Sequence, residues 1–150
     1  MTNSYLYTLI MSMTPISELR GAIPLGVSLG LSPAVASVIS VFGNALVVPF
    51  LLLLIEPMFE RLKTLTKLRN WIERYEDRAM TKFQGYDRFR FWGLLLFVAV
   101  PFPTTGAYTG CVIAVMLGMK FRSAWASITG GVIISGFIVF LLTSQVVSFL

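Results

Sequence analysis

The chain has 150 residues, of which 56% are hydrophobic and only 13% charged, with a mean hydropathy of +0.80. A soluble domain of this length carries about a quarter of its residues as charges, so the composition excludes an ordinary water-solvated globule and points to a protein solvated by lipid. Apolar segments of helix length make an all-α membrane protein the expectation. Histidine is absent and Cys111 is the sole cysteine, which removes the commonest metal ligand, the usual neutral-pH base and any intramolecular disulfide. No metal, cofactor or enzymatic constellation is expected.

The first 32 residues read as a short apolar stretch, 4–14, followed by a segment punctuated by Pro15, Gly21, Pro24, Gly26 and Gly30. No Lys or Arg precedes the apolar stretch and no small-residue cleavage pattern follows it, so it does not read as a secretory signal. Residues 33–55 then run without a charge, long enough for a helix to cross a bilayer core, which takes roughly 20 apolar residues.

Residues 56–90 hold nine of the twelve basic residues, interleaved with six acidic ones. Met58, Leu62, Leu65, Leu68, Ile72, Tyr75, Ala79 and Phe83 recur there at steps of three and four, one stripe of a helix. The pattern predicts an amphipathic interfacial helix facing the cytoplasm, where basic loops are retained. The interleaved acids argue against a nucleic-acid partner.

Residues 91–119 place ten apolar residues ahead of "PFPTTGAYTG" and a second apolar run after it, and residues 123–150 form another uncharged span. Pro101 and Pro103 each remove a backbone donor, at about 3 kcal/mol or more in a helix interior, so a break is expected rather than one continuous helix. Segments 1–32 and 91–119 are thus each read as a re-entrant hairpin that descends, turns and returns. "GAIPLG" against "GAYTG", Leu29-Gly30 against Leu117-Gly118, and Gly43 against Gly131 suggest two copies of a hairpin-plus-span unit. A unit with one crossing enters its second copy from the opposite side, the inverted arrangement common among secondary transporters. Two spans enclose little volume, so a homodimer or larger assembly is expected.

Glu18-x-Arg20-x-x-Ile23-Pro24-x-Gly26 and Pro101-x-Pro103-x-Thr105-Gly106-Ala107 are the most distinctive runs. With the segment order, they make the chain resemble the small multidrug export family of prokaryotic membrane proteins and, more distantly, the DedA superfamily. The first resemblance implies a cell (inner) membrane exporter of small amphiphiles. The second implies translocation of lipid phosphates such as polyprenyl phosphate between leaflets, through two opposed hairpins bearing acidic and arginine residues. The residues so marked as a substrate or ion site are Glu18, Arg20, Pro24, Pro101, Pro103, Thr104, Thr105, Gly106 and Tyr108.

Charges at membrane depth normally face a cavity or each other. Three roles are open to the pair. Glu18 can exchange a proton, desolvation favouring its neutral form and Arg20 its ionised one; Glu18 can bind a cationic amphiphile; Arg20 can fork onto a phosphate. A surface position for both, with Glu18 at a helix N-terminus, is the structural alternative, and a non-transporting scaffold that uses the amphipathic helix is the alternative in function. Asn44, alone in the first span, suits a helix–helix hydrogen bond as well as a ligand.

Overall fold

The computed structural model describes residues 2–63, 87–102 and 105–149. They form six helices: α1 (Thr2–Ser12), α2 (Glu18–Ser28), α3 (Pro33–Lys63), α4 (Asp87–Ala99), α5 (Ala107–Met116) and α6 (Phe121–Phe149). No strand occurs among the described residues. Most of the basic amphipathic stripe, together with Pro103 and Thr104, lies outside them.

Helix lengths divide the elements into two kinds. α3 has 31 residues and α6 has 29, or ~45 Å each at 1.5 Å per residue. The other four have 10 to 13 residues, at most ~20 Å, short of a ~30 Å hydrocarbon core. A core helix of a soluble protein would be mostly buried; the most apolar windows of α3 and α6 are only 33% and 22% buried. Phe42, Phe50, Leu53, Leu54, Phe137 and Leu142 all point outward. Such continuous apolar exposure suits lipid rather than water.

The short helices form two hairpins, and local chemistry explains where each turns. α1 stops before Pro15, and the hydroxyls of Ser12 and Thr14 donate to the carbonyls of Leu9 and Met11 left open at its end. α4 stops before Pro101, and the Thr105 hydroxyl lies 2.6 Å from the Val100 carbonyl. Both hairpins close at their bases: Ser4 Oγ donates to the Leu29 carbonyl at 3.1 Å, and Arg90 Nη1 to the Leu117 carbonyl at 3.2 Å. Each hairpin therefore begins and ends on one side of the molecule.

Leu29 and Leu117 stand 88 residues apart and end α2 and α5 in the same way. Leu29, Gly30 and Leu31 donate to Leu25, Val27 and Gly26, while Leu117, Gly118 and Met119 donate to Ile113, Val115 and Ala114. Gly30 and Gly118 hold φ of +90° and +59°, the left-handed cap that glycine adopts without a Cβ penalty. The following helices open alike, Ala36 N–H donating to Ser32 and Ala124 N–H to Lys120, both at 2.9 Å.

The packing keeps the same spacing. At Gly43 of α3 a Cβ would stand 3.2 Å from the Leu9 carbonyl of α1; at Gly131 of α6 one would stand 2.8 Å from the Leu95 carbonyl of α4. Both glycines thus let the first arm of a hairpin lie directly on a long helix. Ser127 Oγ donates to the Phe91 carbonyl at 2.7 Å, fixing α4 parallel to α6. α5 runs alongside the second half of α3, with Cys111 beside Val48, and antiparallel to the first half of α6, with Gly110 on Ile128. α3 and α6 are therefore antiparallel. Leu19, Ile23, Val48, Val98, Ile128 and Val132 form the core between them.

Candidate functional site

The turns of the two hairpins meet each other. Glu18 is the first residue of α2, and its φ of +47° is left-handed, which a side chain other than glycine rarely adopts. That conformation aims its carboxylate at the start of α5, across the hairpin junction. Tyr108 N–H donates to Glu18 Oε1 at 3.4 Å, and the Ala107 N–H faces the same carboxylate. Glu18 therefore caps the N-terminus of a helix that begins 89 residues later in the sequence, where the helix dipole favours negative charge. It is 7% exposed.

Gly106 makes that approach possible. A Cβ at this position would overlap the Glu18 carboxyl group. Its φ of −143° and ψ of −173° are ordinary extended values, so what Gly106 supplies is space rather than conformational freedom. Gly106 also stands 88 residues after Glu18, at the corresponding place ahead of the second helix cap.

Further bonds tie the tips together. Arg20 Nη2 donates to the Val100 carbonyl and to Thr105 Oγ1, each at 3.3 Å. The Thr105 hydroxyl in turn lies 3.1 Å from the Phe102 carbonyl and accepts from the Phe102 N–H at 3.2 Å, so one side chain satisfies the backbone that the Pro101 break leaves open. The Tyr108 hydroxyl donates to the Met13 carbonyl in the first turn. Arg20 Nε is buried without a partner among the described residues.

A crevice of about 400 Å³ opens beside these groups, lined by Pro15, Ile16, Ser17, Glu18, Arg20, Gly21, Pro101, Gly106 and Thr109. Among the residues marked from the sequence, Glu18, Arg20, Pro101 and Gly106 line it, while Thr105 and Tyr108 hold its walls. Pro24 lies elsewhere, exposed within α2. Pro103 and Thr104 fall outside the described residues. Sequence reasoning passed over Ser17 and Thr109. Both are hydroxyl residues beside the marked motifs, one preceding Glu18 and one following Tyr108, and that adjacency was the available signal. Chemically, the crevice offers an acid that a proton or an organic cation can neutralise, a guanidinium two residues away, and hydroxyls able to orient a polar group.

Two helices long and apolar enough to cross a membrane, with two short-helix hairpins whose turns meet at Glu18 and Arg20, suit a helical membrane protein. Residues 18–138 match the family described as "Putative small multi-drug export protein", and the chain belongs to that family. No curated protein and no solved structure matches it.

Proposed function

We propose that the protein exports small amphiphilic compounds across the cell (inner) membrane and couples that movement to protons through Glu18. The observation that carries this is the meeting of the hairpin tips, which puts a 7% exposed carboxyl group against a partly polar crevice between the two turns. An ionised acid in such a place is costly unless paired or neutralised. Protonation and cargo binding are then alternative ways of meeting that cost, and alternatives of this kind couple two fluxes.

The architecture proposed is an inverted repeat of a re-entrant hairpin followed by a transmembrane helix. The matching helix ends at Leu29 and Leu117, the matching glycine contacts at Gly43 and Gly131, and the antiparallel long helices support it. Non-helical backbone at membrane depth is tolerated only inside protein or beside a wet cavity, and both turns border the crevice. In this arrangement residues 56–90 lie on the cytoplasmic side, and the crevice is completed in a homodimer or larger assembly.

A lipid-phosphate translocase would use Arg20 as the headgroup ligand. Arg20 Nη2 already spans to Val100 and Thr105, so a phosphate would have to displace the bonds that join the tips. The exporter is favoured on that ground. A non-transporting scaffold would leave the buried tip junction without a use.

Ethidium uptake into proteoliposomes under an imposed pH gradient tests the proposal. Glu18→Gln keeps the shape of the side chain and removes its titration, and is expected to abolish gradient-driven uptake while the protein stays folded. Uptake at the parental rate with unchanged pH dependence would eliminate Glu18 as the coupling group.

A further inference from the structure

Asn44 lies near the middle of α3 with 0% exposure, and neither polar atom of its amide group has a hydrogen-bond partner among the described residues. Ser40, one turn earlier on the same helix, is also 0% exposed, Ser135 of α6 is 1% exposed, and neither hydroxyl has a partner among the described residues. The hydroxyls of the other buried residues, Thr8, Ser12, Ser37 and Ser127, each donate to a backbone carbonyl, while Oγ1 of the half-buried Thr129 on α6 is unpartnered among the described residues as well. Buried polar groups in folded proteins are nearly always satisfied, and exceptions point to a bound water, an ion or a functional role.

Contacts between the helices place these groups within the fold. α2 lies against α3, and a Cβ on Gly26 would touch Ala36. Their antiparallel course then brings Glu18 level with Asn44, eight residues away along each helix. α5 runs parallel to α3 with Cys111 at Val48, so Ala107 is level with Asn44 as well. Gly136 meets Val41, which carries Ser135 to the turn bearing Ser40. The unpartnered groups thus occupy the molecular interior at the height of the hairpin tips, whereas the crevice opens at the surface.

Their chemistry selects a ligand. The amide offers two N–H donors and an oxygen acceptor, and each serine offers one donor and two lone pairs. A cluster with no net charge and both kinds of group suits a neutral hydrogen-bonding guest. A bare cation would meet the amide N–H groups, and an anion would meet Oδ1. Water fits both, and polar interior sites with several partners are where proteins hold it.

We propose that Asn44, Ser40 and Ser135 bind a small water cluster, and that this water gives Glu18 a proton-exchange route separate from the crevice. The route, though not the water site, rests on the assignment of Glu18 as the coupling group. In each exchange the acid O–H bond of Glu18 breaks as an O–H bond forms on water, leaving a carboxylate while the excess proton passes along the cluster; loading runs the same step in reverse.

Radiolytic hydroxyl footprinting of the parent protein tests the site directly, because radicals formed from bound water label buried neighbours. Val48, 0% exposed and one turn beyond Asn44, is expected to be labelled, and Asn44→Leu is expected to lower that label at least threefold. In proteoliposomes Asn44→Leu is expected to cut pH-driven ethidium uptake tenfold or more with ethidium affinity within twofold of the parent. Asn44→Ser, which keeps a polar group and leaves room for water, is expected to restore uptake. An unlabelled Val48 overturns the water site. Parental uptake in Asn44→Leu, or Asn44→Ser as inactive as Asn44→Leu, overturns the route. Uptake that survives Glu18→Gln refutes the coupling assignment and the route with it, whereas a Val48 label that Asn44→Leu removes still supports the water site.

Discussion

Gly106→Ala is the sharpest probe of the tip junction. The backbone there is extended, with φ −143° and ψ −173°, so alanine adds no conformational strain and the perturbation is steric alone. Its methyl group would overlap the Glu18 carboxyl, which must then leave the N-terminus of α5 and the Tyr108 N–H. Hydrogen bonds to charged groups contribute ~1.5–3 kcal/mol, and a carboxylate at a helix N-terminus ~0.3–1 kcal/mol, rising to ~2 when partly buried. The 3.4 Å separation from Tyr108 marks a long bond, so the lower part of these ranges applies, and a loss of about 1–2 kcal/mol is expected. That is small enough for the protein to fold, since the displaced group is the end of a flexible side chain. Ethidium uptake should nevertheless fall at least tenfold. Thermal unfolding in detergent and proteoliposome uptake measure the two effects. A variant that melts and transports like the parent would show that the carboxyl does not rest on Gly106.

Gly131→Ala should destabilise more, by about 1–3 kcal/mol, because its Cβ would stand 2.8 Å from the Leu95 carbonyl and 2.7 Å from Val98 Cβ, and backbone cannot swing aside; unfolding at or above the parental temperature would contradict this. Gly93→Ala is the matched control: nothing lies within 4 Å of its Cβ position, so the gain in helix propensity, ~0.8–1.0 kcal/mol, should leave the protein as stable or more so. Tyr108→Phe removes the donor to the Met13 carbonyl and should cost ~0.5–1.5 kcal/mol, read as a lower midpoint in the same melt. Cysteines placed singly at Phe91 and Arg122, with Cys111 replaced by Ala, should label from one side of the membrane only; labelling from opposite sides would exclude the re-entrant course of residues 91–119.

Elements and site were legible in the sequence to different depths. Segment lengths and the Pro101–Pro103 pair mark the break after α4 and the two long helices, because a helix cannot continue through Pro101 and Pro103 and a span needs a minimum length. α3 nevertheless runs through Pro57 to Lys63, past the expected end of its span at residue 55. The Leu-Gly recurrence, read from the sequence as a repeat, turns out to mark two left-handed helix caps at Gly30 and Gly118, a local requirement that glycine meets without a Cβ penalty. Pro24 was marked as part of a break, yet α2 runs through it on an exposed face; a single proline can be absorbed where two within three residues are not. Beyond local rules the sequence is silent. That Glu18 caps α5 depends on how two turns 88 residues apart come together, and no spacing along the chain encodes it. The family motif marks Glu18 and Gly106 without saying that one rests on the other. Asn44 shows the same limit: its polarity was visible, but its lack of a partner is a property of the packed interior.

The contact between Glu18 and Gly106 also bears on why the two halves differ. If the halves are related by a two-fold axis lying in the membrane plane, as the equal helix caps and antiparallel long helices suggest, corresponding residues approach each other only where that axis passes. Glu18 and Gly106 are corresponding residues by their 88-residue spacing, and they touch. A side chain on both would place two groups in one volume; two carboxylates would add repulsion between like charges in a desolvated site. One half therefore supplies the acid and the other the space and the helix N-terminus that receives it. Introducing Gly106→Glu should make the two acids compete for one place and abolish transport, whereas Glu18→Gly combined with Gly106→Glu transfers the carboxyl to the opposite hairpin. Should the halves be equivalent in backbone, the double variant is expected to recover part of the uptake that either single variant loses, and recovery no greater than the single variants would mean that the two tips are not interchangeable supports for the acid.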